Sequence, residues 1–351
     1  MSDNWLSGKI QIEWFAPALD AERCVHSRLE IASCQACVDV CPHDAWQLTD
    51  EALQINVVEC DACGLCEPVC PEQAIRFEQV FKPRLLTDQR IVFVSCEKVD
   101  FSGAEESIPC LHSISERTLL EIRSKDEYQL VVASGDCDKC ERGGAIPLSA
   151  RLDNVNRWLE SQGMGPIEAA RCRDGDQWNR FLQNTHVADE SELTGRRGFF
   201  RQMLGEVAKV ADKAAEKPEM VPPGMIISAD HPNHIVPAAP VIDLRRCIAC
   251  DACVRLCPHQ ALVLDGEDQC YKINADSCTG CGLCVDVCED DAVTLHFWET
   301  PPQSSVPLLG ARCQSCGADF RVVDSGASAI PEKCRICQQT DFNSQLFQVY
   351  D

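Results

Sequence analysis

Four short segments alternate apolar and polar residues: AWQLTD (45–50), AIRFEQ (74–79), ALVLDG (261–266) and AVTLHF (292–297). A period of two over five or six residues predicts a short, half-buried β-strand. Each segment opens on an alanine (Ala45, Ala74, Ala261, Ala292), and each alanine stands four residues after a cysteine. The residue before that cysteine is always Val or Leu: Val40, Val69, Leu256 and Val287. One small unit is therefore used four times, in two pairs.

Between the pairs the pattern changes. RIVFVS (90–95) and YQLVVAS (128–134) read as apolar strands, while ISERTLLEIRS (114–124) and SARLDNVNRWLESQ (149–162) have helical periodicity. That alternation predicts a small α/β domain. The segment 194–217 predicts an amphipathic helix with Thr194 as N-cap. Residues 218–240 are rich in proline and predict an extended linker. The expected organisation is α+β: a first module at 1–85, an α/β domain at 86–190, helix and linker at 191–240, a second module at 241–300, and a tail at 301–351.

Composition alters this picture in one respect. Cysteine contributes 26 of 351 residues, a number that implies either a disulfide scaffold or a set of metal-binding thiolates. The N-terminus lacks the basic start and apolar run of a secretory signal. No stretch approaches the roughly 18 apolar residues that cross a bilayer. The expectation is a cytoplasmic protein without membrane insertion, and hence thiolates. A net charge of −23 argues against nucleic acid. It suits either plain solubility or steering toward a basic surface on a redox partner.

Most of the cysteines fall in tight runs: CQACVDVCP (34–42), CDACGLCEPVCP (60–71), CIACDACVRLCP (247–258) and CTGCGLCVDVCE (278–289). Over residues 20–80 and 243–298 the chain strongly resembles the bacterial 2[4Fe-4S] ferredoxin and polyferredoxin family, whose ligand run is C-x2-C-x2-C-x3-C-P. In that family three cysteines of a run wrap one cubane and the fourth ligates its neighbour. The resemblance implies four cubane sites. Site 1 would use Cys24, Cys34, Cys37 and Cys70, and site 2 Cys41, Cys60, Cys63 and Cys66. Site 4 would use Cys247, Cys250, Cys253 and Cys288, and site 5 Cys257, Cys278, Cys281 and Cys284.

Two departures stand out. Ile31 occupies the place of the first cysteine in the first run, and Cys24 is the nearest substitute, with nine residues between it and Cys34. A longer loop delivering Cys24 is one outcome; a three-iron or labile cluster is the other. Glu289 stands where the family has proline, a change expected to spare ligation. His43 and His259 follow two of the Cys-Pro pairs and read either as ligands or as polar first turns.

Cys96, Cys110, Cys137 and Cys140 form site 3. Cys96, Cys110 and Cys137 follow apparent strand ends, where an α/β sheet gathers its ligands. The arrangement faintly resembles the [2Fe-2S] delta-type subunits of hydrogenase–heterodisulfide reductase complexes. A [2Fe-2S] cluster, zinc, or inert buried thiols all fit. Site 6 comprises Cys313-x2-Cys316 and Cys334-x2-Cys337, a pattern that resembles zinc ribbons and admits zinc, a rubredoxin-like iron or no metal. Cys172 and Cys270 have no partner at ligand spacing and read as packing residues.

Arg196-Arg197-Gly198-Phe199-Phe200 is internal and leads into a charged stretch, so a helix start or partner patch fits better than an export signal. No P-loop, nucleophile elbow or HExxH occurs, and no small-molecule substrate is evident. The leading expectation is a non-catalytic, multi-cluster electron carrier. Its resemblance implies partners such as a formate dehydrogenase, a hydrogenase or a heterodisulfide-reductase-type complex. An assembly or maturation factor, or a redox enzyme with its site in the middle domain, are the rivals.

Overall fold

The computed structural model describes residues 16–187 and 220–339, apart from 50–51, 78–80, 82, 87–88, 102–106, 126–127, 144, 228–233, 268 and 327–329. The expected helix 194–217, Thr194 and the basic pair at 196–197 lie outside the described residues. The chain forms two compact units that divide near residue 232.

The first unit opens with a ferredoxin-like module of two small two-stranded sheets. Strand β1 (Ala18–Leu19) pairs antiparallel with β4 (Ile75–Arg76), and β2 (Trp46–Leu48) with β3 (Leu53–Ile55). Helix α1 (Ala36–Asp39) forms one turn of the first cysteine run. Trp46, Leu53, Cys66 and Ile75 form the buried core, with Cys24, Cys37, Cys41 and Cys70 packed against it. Strands this short cannot hold a fold alone, so the apolar contacts around the cysteines are most of the core.

The same unit continues into an α/β sheet ordered β10-β5-β6-β8-β9. Its members are β5 (Pro83–Leu86), β6 (Gln89–Cys96), β8 (Tyr128–Ala133), β9 (Glu168–Cys172) and β10 (His186–Val187), with β7 (Ser107–Ile108) beside the end of β6. Strands β6, β8 and β9 run parallel, joined by α2 (Glu116–Lys125) and α3 (Leu148–Ser161); α4 (Gly175–Gln183) follows β9. Ile91, Val92, Phe93 and Val94 are all nearly inaccessible, as expected of a parallel strand covered on both faces. Each such side chain contributes about 1.5–3 kcal/mol by burial. Phe93 meets Trp178 of α4 edge-on, with ring centroids 5.4 Å apart. Cys172 is buried in this cluster as a packing residue. Its first strand, β5, begins three residues before the expected domain start at 86.

The second unit contains the second ferredoxin-like module. Strand β11 (Val236–Ile242) pairs with β14 (Val293–Glu299), and β12 (Leu262–Asp265) with β13 (Cys270–Ile273). Helices α5 (Ala252–Leu256) and α6 (Leu283–Asp286) carry the cysteine runs. Here the structure corrects the expected linker at 218–240: its last five residues belong to β11. Proline fits there because, among the described residues, β11 has a partner on one side only, so Pro237 and Pro240 break no central ladder. The tail likewise continues the module's own sheet. Strands β15 (Ser305–Arg312) and β16 (Asp319–Val323) extend it to the order β12-β13-β15-β16, and α7 (Arg335–Gln339) follows. Buried Cys270 lies in β13.

Candidate iron–sulfur and metal centres

The repeated alanine explains how the fourth cysteine of each run is held. The amides of Ala45, Ala74, Ala261 and Ala292 donate to the Sγ atoms of Cys41, Cys70, Cys257 and Cys288 at 3.3, 3.3, 3.2 and 3.2 Å. The residue just before each alanine (Asp44, Gln73, Gln260, Asp291) has a left-handed backbone, with φ between 46° and 54°. That turn aims the amide at sulfur. Each alanine is no more than 2% exposed, leaving no room for a larger side chain.

The alanine carbonyls fix the first cysteine. The carbonyls of Ala74, Ala45, Ala292 and Ala261 accept from the amides of Asp20, Asn56, Asp243 and Asn274 at 2.7–2.8 Å. Four residues after each of these stands a cysteine: Cys24, Cys60, Cys247 and Cys278. Cys24 therefore has the same backbone anchor as the three regular first cysteines. The sequence signal, Asp or Asn four residues ahead, was present but is apparent only once Ala74 is known to face Asp20.

The detour between Cys24 and Cys34 has local consequences. After Cys24 the chain makes a one-turn helix (Val25–Ser27), and His26 Nε2 lies 2.8 Å from the Cys34 carbonyl. Ile31 is 67% exposed, so the nominal ligand position faces solvent. In the regular runs, Gly64, Asp251 and Gly282 have φ of +76°, +65° and +85°; the matching Gln35 has −127°. Gly64 and Gly280 hold left-handed turns against aromatic rings: a Cβ on Gly280 would lie 2.8 Å from Phe297, and one on Gly64 3.1 Å from Phe77.

Two of the expected sets each line a common cavity. Cys24, Cys34, Cys37 and Cys70 line one cavity in the first unit, and Cys257, Cys278, Cys281 and Cys284 line one in the second. Burial pushes the Cys37 thiol up to about 12, reinforced by Cys70, Cys34 and Cys24. Burial does the same to Cys66, with Cys60 and Cys41 nearby, and to Cys253, beside Cys247, Cys250 and Cys288. Clustered, partly buried thiols facing one another ionise together only around strong positive charge. The donor sets, apolar walls and sulfur-directed amides thus fit iron–sulfur clusters. His259 lines the site 5 cavity, and His43 Nε2 lies 3.1 Å from Asp61 Oδ2. Glu289 is exposed, and the Ala292 amide beyond it keeps its sulfur contact.

Site 3 is assembled at the carboxyl edge of the parallel strands. Cys96 ends β6, Cys110 follows β7, and Cys137 opens a helical turn after β8 that leads to Cys140. All four line a cavity of about 390 Å³. Burial raises Cys110 to about 11 against the opposing His112 amide, and Cys96 adds to the rise. The Lys98 amide donates to Cys96 Sγ at 3.4 Å.

Site 6 is tighter. The sulfurs of Cys313, Cys316, Cys334 and Cys337 all lie within 4.8 Å of one another, and Cys316 and Cys334 are 3.9 Å apart. A tetrahedral ion bound at about 2.3 Å needs sulfurs roughly that close. The first knuckle is the β15–β16 turn, whereas the second runs into α7 rather than a facing hairpin. Backbone amides of Cys316 and Cys334 draw Cys313 down to about 6, while burial pushes Cys337 up to about 12. Among the described residues no other His, Cys, Asp or Glu group is gathered so closely.

Two arginines escaped the sequence reading. Arg142 pairs with Asp61, between Cys60 and Cys63, and Arg321 of β16 pairs with buried Asp251, between Cys250 and Cys253. Tyr271 also donates to Asp251, at 2.6 Å. Among the described residues, no helix is long and apolar enough to cross a membrane.

Comparison with known proteins agrees with this geometry. Residues 32–75 and 240–295 each match the family described as 4Fe-4S dicluster domain; the first match begins after Cys24. A ferredoxin of Streptomyces griseus is 46% identical over 44 residues, 12% of this chain and 42% of that protein. Ferredoxin-1 of Caulobacter vibrioides is 50% identical over 40 residues, 11% of this chain and 35% of that protein. The chain thus spans less than half the length of these relatives. Residues 32–75 and 240–295 thus each match a 4Fe-4S dicluster domain, and matching stretches of the chain are similar to bacterial ferredoxins.

Proposed function

We propose that the protein is a polyferredoxin-type electron conduit carrying four [4Fe-4S] clusters at sites 1, 2, 4 and 5, a [2Fe-2S] cluster at site 3 and zinc at site 6. The observation that carries this reading is the fourfold unit in which an alanine amide meets the last cysteine while its carbonyl anchors the first. The clusters supply one-electron exchange without bond chemistry on a substrate. The chain supplies burial, amide donors to sulfur and fixed loops, which set potentials and keep water away. Cys24 is the first ligand of site 1 on this reading.

The large cavity of site 3, whose thiols are not gathered as closely as those of site 6, favours a binuclear cluster over a single zinc ion. The tight set in the tail favours zinc in a structural role. The acidic surface suits a basic docking face on a cytoplasmic oxidoreductase, of which formate dehydrogenase, hydrogenase and heterodisulfide-reductase-type complexes are the candidates. Anaerobic redox titration followed by EPR tests the proposal. Reversible one-electron steps at several low potentials support a conduit; clusters that bleach without reversible reduction contradict it.

One observation favours a second reading, an enzyme centred on site 3: its cavity is roomy enough for a ligand besides the cluster. Binding of small thiols or anions that shifts only the site 3 signal would favour that reading.

A further inference from the structure

Sites 2 and 3 meet inside the first unit. Cys63 of site 2, Leu65 and Cys110 of site 3 form one buried apolar cluster. At the same junction the Arg142 side chain is only 6% exposed. Its Nε donates to Asp61 Oδ2 at 2.6 Å, and its Nη1 donates to Glu97 Oε1 and to the Pro109 carbonyl, both at 2.8 Å. Asp61 Oδ1 in turn accepts the Cys63 amide at 3.1 Å. Asp61 follows Cys60, Glu97 follows Cys96, Pro109 precedes Cys110, and Arg142 comes two residues after Cys140. A single buried guanidinium thus touches a neighbour of a cysteine on three chain segments while extending from a fourth.

We propose that Arg142 is a positioning residue that locks sites 2 and 3 into one coupled redox pair, so that site 3 exchanges electrons with its ferredoxin neighbour. This rests on the reading that both sites hold clusters. The exchange is balanced: one centre loses an electron, the other gains it, and no bond or proton moves. The external reductant is a low-potential redox protein, replaced by dithionite in the test. Arginine suits the role because its planar fork reaches several acceptors at fixed angles, which a lysine ammonium does not. Its positive charge also lies between two groups of thiolates, and local charge helps set cluster potentials.

The test uses the full chain, loaded anaerobically, with Arg142→Gln, Arg142→Lys and Cys137→Ser. Arg142→Gln is expected to raise amide exchange at 60–66 and to shift the potentials of sites 2 and 3 to more negative values, since Asp61 and Glu97 lose their counter-charge. Arg142→Lys is expected to retain the potentials but not the amide protection. In the dithionite-reduced wild type, EPR is expected to show magnetic broadening that Cys137→Ser removes together with about two irons. Arg142→Gln protein with unchanged potentials and unchanged exchange overturns the positioning role. Cys137→Ser protein that loses iron but keeps the spectrum overturns the pair alone. If it keeps all its iron, the site 3 cluster falls and the pair with it.

Discussion

The two ferredoxin modules share one frame but differ in what it tolerates. In the second, all eight cysteines follow the regular spacing, and Asp251 is held by Tyr271 and Arg321 from the sheet that continues into the tail. In the first, the run is broken by a detour, and Asp61 is held by Arg142 from the α/β domain. The comparison teaches that C-x2-C spacing is not what places the first cysteine. The end of a strand pair places it: Asp20 meets Ala74 just as Asp243 meets Ala292, and an insertion downstream of Cys24 leaves that anchor intact. In both modules an acid in a cysteine loop is paired with an arginine from the segment that follows, so each segment is fastened at a cysteine loop.

The largest expected effect comes from Cys24→Ser. It should remove one cubane, about four irons, from the first module while the second keeps its full content. Iron and sulfide analysis decides, and unchanged content would return Cys24 to the status of a bystander. Next is Cys313→Ser in the tail. Loss of one bound zinc should loosen the segment around α7, with the irons of sites 4 and 5 retained because β15 stays paired to β13. Zinc analysis with hydrogen exchange measures both halves of that statement.

Gly280→Ala should destabilise the second module by about 1–3 kcal/mol, since the left-handed turn and Phe297 both oppose a Cβ. Gly64→Ala should cost less, its nearest contacts being 3.1 Å away; denaturation of each variant compares the two. The smallest effect is that of Tyr271→Phe, about 1–2 kcal/mol, from a buried Asp251 left with one fewer donor. A Tyr271→Phe protein as stable as the wild type would mean that Arg321 alone satisfies this carboxylate.

Much of this was legible because it is local. The runs, the hairpin strands after Ala45, Ala74, Ala261 and Ala292, and the middle strands and helices each lie within a dozen residues. The carboxyl-edge placement of Cys96, Cys110 and Cys137 followed from strand order alone. What escaped reading is non-local or disguised. Arg142 and Asp61 are 81 residues apart in sequence, and no spacing rule links them. Strand β9 was missed because EAARC is largely exposed and lacks the apolar alternation of a strand. Strand β11 was hidden by Pro237 and Pro240, which read as linker until its one-sided pairing is known.

The central claim, a chain of four cubanes, is tested most directly by iron, acid-labile sulfide and zinc analysis of anaerobically purified protein with EPR of the reduced state. The account predicts about 16 irons in cubane signals, about two more from site 3, and one zinc per chain. A fully reduced, thiol-intact sample with about four irons or fewer would contradict it.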